Sequence, residues 1–180
     1  MKQHQWLKAH LMVGVKTNVV TSVEVTDGSA NDSPMLPGLV TKTAKRFELA
    51  EVSADKGYTS HANVEAIAKA GAKPYIPFKV NTTGEGPDLW RKLWHFYQFN
   101  RPKFLVHYHK RSNVETTFSM IKRKFGASVR AKGRVAQENE ILCKILCHNL
   151  CCLVSSIYEL GIEPIFGAEF QVAPEFRIAG

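Results

Sequence analysis

The sequence predicts an α/β fold, a mixed sheet with helices packed on it. Three observations carry that reading. Two stretches rich in β-branched residues, "HLMVGVK" and "NVVTSVEVTDG", flank a short "TN" turn and read as a hairpin. Helix and strand patterns then alternate between Asn31 and Phe78, the order expected of a sheet with helices on its faces. A long apolar segment of helical pattern, "QENEILCKILCHNLCCLVSSIYEL", follows later.

Each element has a local reason. "NDSPMLPGLVTKTAKRF" predicts a first helix capped by Asp32 or Ser33, with Pro34 in the first turn, where no backbone N–H is needed. "LAEVSA" reads as a short buried strand that ends at "DKGYTS". "SHANVEAIAKAGAKP" predicts a second helix, capped by Thr59 or Ser60 and stopped by Gly71 and Pro74. "KPYIPF" is one more strand. After the polar loop "NTTGEGPD", the segment "LWRKLWHFYQFNRPKF" is crowded with aromatic residues, so residues 80–104 read as an insertion. Trp90, Trp94 and Tyr97 share one helical face, which is core or, on a sharper reading, a stacking platform for nucleic-acid bases. The domain is expected over residues 1–160. The tail from Gly161 to Gly180 shows no clear periodicity.

At 180 residues, with 44% hydrophobic and 22% charged residues, the chain has the profile of a soluble globular domain. Its formal charge is +8, unevenly placed. Between His109 and Arg134, eight Lys or Arg face the single acid Glu115. Such a local positive field suits a polyanion, nucleic acid first. "MKQHQWLKAH" lacks the apolar core of a signal peptide.

Four cysteines, Cys143, Cys147, Cys151 and Cys152, lie in the apolar segment. Lys144, His148 and Asn149 interrupt it, so the expectation is a buried core helix that falls short of a membrane span. Residues eight apart on a helix are separated by about 12 Å along its axis, too far to converge on one zinc ion. The thiols then serve as small apolar groups, reduced in a cytoplasmic protein.

The stretch "YHKRSNVETTFSMIKRKFG" asks why a basic segment carries one carboxylate. On a helix of about 100° per residue starting at Tyr108, Arg111, Glu115 and Lys122 fall within an arc of about 60°. Val114, Phe118, Ile121 and Phe125 form an adjoining apolar stripe. Glu115 thus lies at the margin of the core, beside two cations. From geometry alone, an Arg111–Glu115 ion pair at four-residue spacing is the simpler account.

Tyr108, Arg111, Glu115 and Lys122 also match a Y-(2)-R-(3)-E-(6)-K signature, and through it the chain resembles bacterial insertion-sequence transposases of the DDE type. "WLKAHLMVGVKTNVVTSVEVTDGSANDSPMLPGLV" looks like the hairpin and first helix of those enzymes. "VSADKGYTS" resembles their second catalytic block, and "NEILCKILCHNLCCL" their closing helix. The likeness runs in order from about Trp6 to Leu160.

The resemblance implies a ribonuclease-H-like sheet and DNA transposition by metal-dependent cleavage and strand transfer. That chemistry uses three carboxylates around two divalent cations, Mg²⁺ or Mn²⁺. Matched position by position, Asp55 is the second carboxylate and Glu115 the third, both catalytic and metal-binding. Tyr108, Arg111 and Lys122 would border the site. Together with Lys110, Arg123, Lys124, Arg130, Lys132 and Arg134 they would contact the phosphates of transposon-end DNA. The expected partners are DNA and either a second copy or an upstream transposase fragment, with no membrane.

One departure matters. In the family the first carboxylate sits on a strand before the block that begins here at Trp6, and "MKQHQ" is too short and polar to be that strand. Asp27 and Asp32 are the only nearby acids, and weak substitutes. The sheet is therefore expected to be incomplete at its first strand, with unpaired edges unless the hairpin closes the gap or another segment fills it. Two metal ions are expected only in a complete site. Three readings stay open: an enzyme whole only with an upstream segment, a non-catalytic DNA-binding remnant, and a poorly folded pseudogene product.

Overall fold

The computed structural model describes residues 6–161. The expectations for "MKQHQ" and for the tail beyond Gly161 lie outside the described residues. Strands β1 (Leu7–Val13) and β2 (Val20–Asp27) form the hairpin, with Leu7 opposite Asp27 and Met12 opposite Ser22. Its turn is closed by Gly14 N–H to Val19 O at 2.9 Å. Asn18 takes the left-handed conformation there, at φ 55°, which its short polar side chain tolerates.

A 3₁₀ turn at Ser33–Met35 leads into α1 (Leu36–Ala44), with Pro34 where a proline is tolerated. The capping expectation fails here. The Asp32 carboxylate turns to Lys8 Nζ at 2.5 Å, and the Ser33 hydroxyl accepts from Asn63 Nδ2 at 2.9 Å. An ion pair and a buried amide outcompete the helix end for these two side chains.

Strands β3 (Glu51–Ser53) and β4 (Lys73–Tyr75) pair in parallel, Val52 opposite Pro74, joined through α2 (His61–Lys69). Ser60 caps α2 by accepting from Asn63 N–H at 3.2 Å, and Gly71 ends the connection at φ 79°. Then come α3 (Asp88–Phe99), α4 (Arg101–Tyr108), a 3₁₀ turn at His109–Arg111, α5 (Ser112–Phe125) and α6 (Arg134–Leu160). The single helix assumed from Tyr108 onward is thus two helices joined by a tight turn. A mixed α/β architecture is what the structure shows. Its strands form two separate two-stranded sheets, and among the described residues no hydrogen-bond ladder joins β1 to β3. The hairpin does not close the gap.

Three clusters make the core. Leu36 and Val40 of α1 meet Val52 and Ile67, while Val20, Ile121 and Ile145 join the hairpin to α5 and α6. The third is aromatic: Tyr75, Phe78, Trp90, Tyr97 and Phe104. Trp90 and Tyr97 are buried in it, which makes that face of α3 core and removes these two rings as a stacking platform. Trp90 and Trp94 donate their indole N–H groups to Thr83 O and Thr82 O, tying the preceding loop down.

α6 departs furthest from expectation. It buries Ile145, His148 and Cys152, while Leu142, Leu146, Leu150 and Leu153 remain 41–59% exposed. A helix of this length with a best-window mean hydropathy of 1.6 also meets the length and composition of a membrane span, contrary to the sequence expectation. The interrupting residues explain its seat on the hairpin instead. Asn149 Oδ1 accepts from Val20 N–H and its Nδ2 donates to Val20 O, both at 2.8 Å, and His148 Nε2 lies 2.9 Å from Asn18 O. Asn149 therefore does for Val20 what a neighbouring strand would do. Replacing Asn149 by Ala leaves both Val20 groups without their partner and is expected to cost about 1–3 kcal/mol in urea unfolding. An unchanged midpoint would remove this account of the α6 anchor.

Candidate active site and basic face

Asp55 follows β3 after Ala54, at the start of a 3₁₀ turn, where a side-chain oxygen accepts from Lys56 N–H at 2.8 Å. Tyr108 ends α4 and points its hydroxyl at Asp55 Oδ1, at 3.4 Å, a long contact. The Arg111 guanidinium lies over the Tyr108 ring, 5.3 Å from its centre, and donates to Glu115 Oε1 at 2.7 Å. Asp55, Tyr108, Arg111 and Glu115 thus form one contiguous polar chain, although β3 and α5 are far apart in sequence. Lys122 lies two turns further along α5 and lines an open depression with Glu115 and Lys8.

The two carboxylates sit on the rim of a groove of about 170 Å³. One wall is β1 through Leu11, Met12 and Val13, and the other is β3 through Val52 and Ser53, continued by Ala54. Leu36 and Leu39 of α1 line it too, as do Arg111 and Val114 from the opposite helix pair. Among the described residues β1 pairs only with β2 and β3 only with β4, so each keeps an unpaired edge.

Electrostatics add one residue that the sequence reading missed. Glu51, the first residue of β3, receives His107 Nδ1 at 2.6 Å and is also paired with Lys110. Burial pushes its carboxyl up, but the Lys110 and His107 partners outweigh that and hold it below the usual value. Lys110 is therefore tied to the groove wall. Only its contact with an acidic strand residue could have signalled this, and that contact is invisible in sequence. Burial, then Asp32 and Asp55, push the Tyr58 phenol up to about 12, so it stays a neutral hydroxyl beside the site.

The basic residues divide by what they already hold. Arg134 is paired with Asp27 and Glu138, and Lys124 Nζ lies 3.1 Å from Cys151 Sγ. Lys122, Arg123, Arg130 and Lys132 are exposed and make no ion pair among the described residues. Asp27 and Asp32 are engaged by Arg134 and Lys8, and neither lines the groove. Among the described residues no three His, Cys, Asp or Glu side chains gather as a metal site. Asp55 and Glu115 are oxygen donors of the kind a hard cation takes, and the third carboxylate lining the groove, Glu51, is held by Lys110 and His107.

The family model described as a transposase DDE domain matches residues 1–150, most of the chain. The chain belongs to that family. No curated protein and no solved structure matches it. The match includes Asp55, Tyr108, Arg111, Glu115 and Lys122, and it ends within α6. Membership ties this DDE domain to DNA transposition, in a family that uses divalent metals.

Glu51 yields a pH test. Its folded-state value lies below the ordinary 4.5, so its stabilising contribution is complete above that value and is lost as acid lowers the pH through it. Glu51→Gln is expected to be less stable than the parent at pH 7, with the gap closing below about pH 4.5. A gap independent of pH in thermal unfolding would contradict the pairing.

Proposed function

We propose that this chain is a DDE transposase catalytic domain of ribonuclease-H-like type, in which Asp55 and Glu115 are two of three catalytic carboxylates. One observation carries the reading: Asp55 after β3, Arg111 of the 3₁₀ turn and Glu115 of α5 line one groove, with Tyr108 at the end of α4 linking Asp55 to Arg111. The groove lies between β1 and β3, whose facing edges have no strand partner among the described residues. Without a third catalytic carboxylate the donor set of Asp55 and Glu115 is incomplete. Arg111 holds Glu115 in place, and Lys122, Arg123, Arg130 and Lys132 supply the positive surface for DNA phosphates in the cytoplasm.

The purified 180-residue chain is expected to bind duplex DNA but not to nick supercoiled plasmid in Mg²⁺ or Mn²⁺. Nicking that disappears in Asp55→Asn or Glu115→Gln would overturn the claim of an incomplete site. Binding should weaken with salt, and alanine at Lys122 or Arg123 should lower the slope of log affinity against log salt by roughly one each. Fluorescence anisotropy measures it, and unchanged slopes would move the DNA surface elsewhere.

The Arg111–Glu115 ion pair favours a second reading, a DNA-binding remnant in which Glu115 is no longer a ligand. Titration with Mn²⁺ separates the two. Weak binding abolished by either carboxylate substitution supports the catalytic reading, whereas DNA affinity indifferent to metal and to both substitutions supports the remnant.

A further inference from the structure

A second, larger cavity of about 740 Å³ meets the groove at Asp55, the one residue that lines both. Three elements each contribute a cation to it. They are Lys56 of the 3₁₀ turn after Asp55, Lys79 of the loop after β4, and Arg101, the first residue of α4. All three are exposed and make no ion pair among the described residues. Asp55 is the single acid in the lining, and much of the wall is apolar or aromatic, through Pro77, Phe78, Val80 and Tyr97. These walls are tied to the core. The Thr59 hydroxyl lies 2.7 Å from Lys56 O and 2.6 Å from Pro77 O, joining the turn to the loop. Phe78 packs edge-on to Trp90, and the Arg101 guanidinium lies over the Tyr97 ring, 4.9 Å from its centre.

Cations and an apolar wall in one cavity fit a ligand that is itself part flat and apolar, part anionic. A nucleotide is such a ligand: its base takes the wall and its phosphates take the cations. The volume lies within the range of about 300–1,000 Å³ typical of small-ligand pockets, so one nucleotide enters and a duplex does not. A duplex is served by cations on an open surface, as at Lys122 and Arg123, and gains nothing from an apolar recess. We propose that this cavity takes one unpaired nucleotide of a DNA strand whose neighbouring phosphodiester lies at Asp55. The base lies against Phe78 and Val80, and Lys56, Lys79 and Arg101 hold the flanking phosphates. The choice of a strand over a free nucleotide rests on the catalytic reading of Asp55, because Asp55 joins the cavity to the groove. The cations of α5 and of the loop after it then carry the duplex, and these three carry the single strand.

Fluorescence anisotropy with the full 180-residue chain tests this in EDTA, so its result is separate from the Mn²⁺ titration of the catalytic reading. The probes are a blunt duplex, the same duplex with a short unpaired oligothymidine of either polarity, and ATP. One of the extended duplexes is expected to bind about tenfold tighter than the blunt one. An abasic extension, which keeps the phosphates and lacks the bases, should lose most of that gain. Lys79→Ala combined with Arg101→Ala should bring the ratio to about one. Lys122→Ala should weaken both duplexes alike and keep the ratio. Iododeoxyuridine in the extension, irradiated on the wild-type chain, should attach to the peptide that carries Phe78, Lys79 and Val80. This crosslink does not depend on any variant folding. Equal binding of all duplexes, a gain that persists without bases or after both alanines, or a crosslink confined to α5 would each overturn the proposal. ATP binding as tight as that of the extended duplex, and lost with the same two alanines, would overturn it too, by assigning the cavity to a free nucleotide.

Discussion

The packing of α1 is the constraint on which the remaining geometry depends. Its inner side chains, Leu36, Leu39 and Val40, are almost fully buried. Leu36 and Val40 contact Val52 of β3 and Ile67 of α2, and Met12 of β1 packs on the same cluster. The outer turns of α1 bind the hairpin: Leu39 O accepts from the Ser22 hydroxyl at 2.9 Å, and Thr43 meets Thr21 and Ser22. Two sheets with no shared ladder are therefore held in a fixed relation by one helix. The space between their edges is set by side-chain volume on α1, and that space is the groove beside Asp55 and Glu115.

Holding a slot open has an electrostatic consequence. Unpaired strand edges leave backbone polar groups facing a partly apolar cavity, and acids and bases collect along its rim. Glu51 is neutralised by Lys110 and His107, and Glu115 by Arg111. Asp55 has a single backbone N–H and a long contact to the Tyr108 hydroxyl. Of the three carboxylates lining the groove, Asp55 is thus the least compensated. The ion pair at Glu115 is compatible with the proposed ligand role, because a guanidinium on one carboxylate oxygen leaves the other free.

The hairpin, the α2 cap at Ser60, the stop at Gly71 and the partnership of Tyr108, Arg111 and Glu115 were all legible in the sequence. Each depends on residues within one element or one turn, where spacing determines geometry. What was illegible depends on contacts between elements. Asp32 looked like a cap and became an ion-pair partner, because Lys8 arrives from β1. Lys110 looked like a phosphate ligand and is held by Glu51, which the sequence offers only as the first residue of a short strand. The apolar pattern of α6 was correct, but periodicity cannot say which apolar face the fold will use. The deciding signals were the residues that seemed to interrupt it, His148 and Asn149, since buried polar groups mark the side that meets the hairpin backbone.

The aromatic cluster around α3 and α4 supports the groove. Tyr75, at the end of β4, stacks on His107 of α4, their rings 4.3 Å apart and inclined by 7°. His107 O accepts from the Ser53 hydroxyl at 2.9 Å, and its ring meets Glu51, so one residue binds α4 to both ends of β3. Phe104, one turn earlier, is 1% exposed among Tyr75, Phe96 and Tyr97. The aromatic cluster thus fixes the height and rotation of α4, and through the following 3₁₀ turn the direction in which Tyr108 and Arg111 point. A carboxylate at the end of a three-residue strand would have little to orient it. Here Tyr108 and Arg111 meet Asp55 and Glu115 from a helix whose position the aromatic cluster determines.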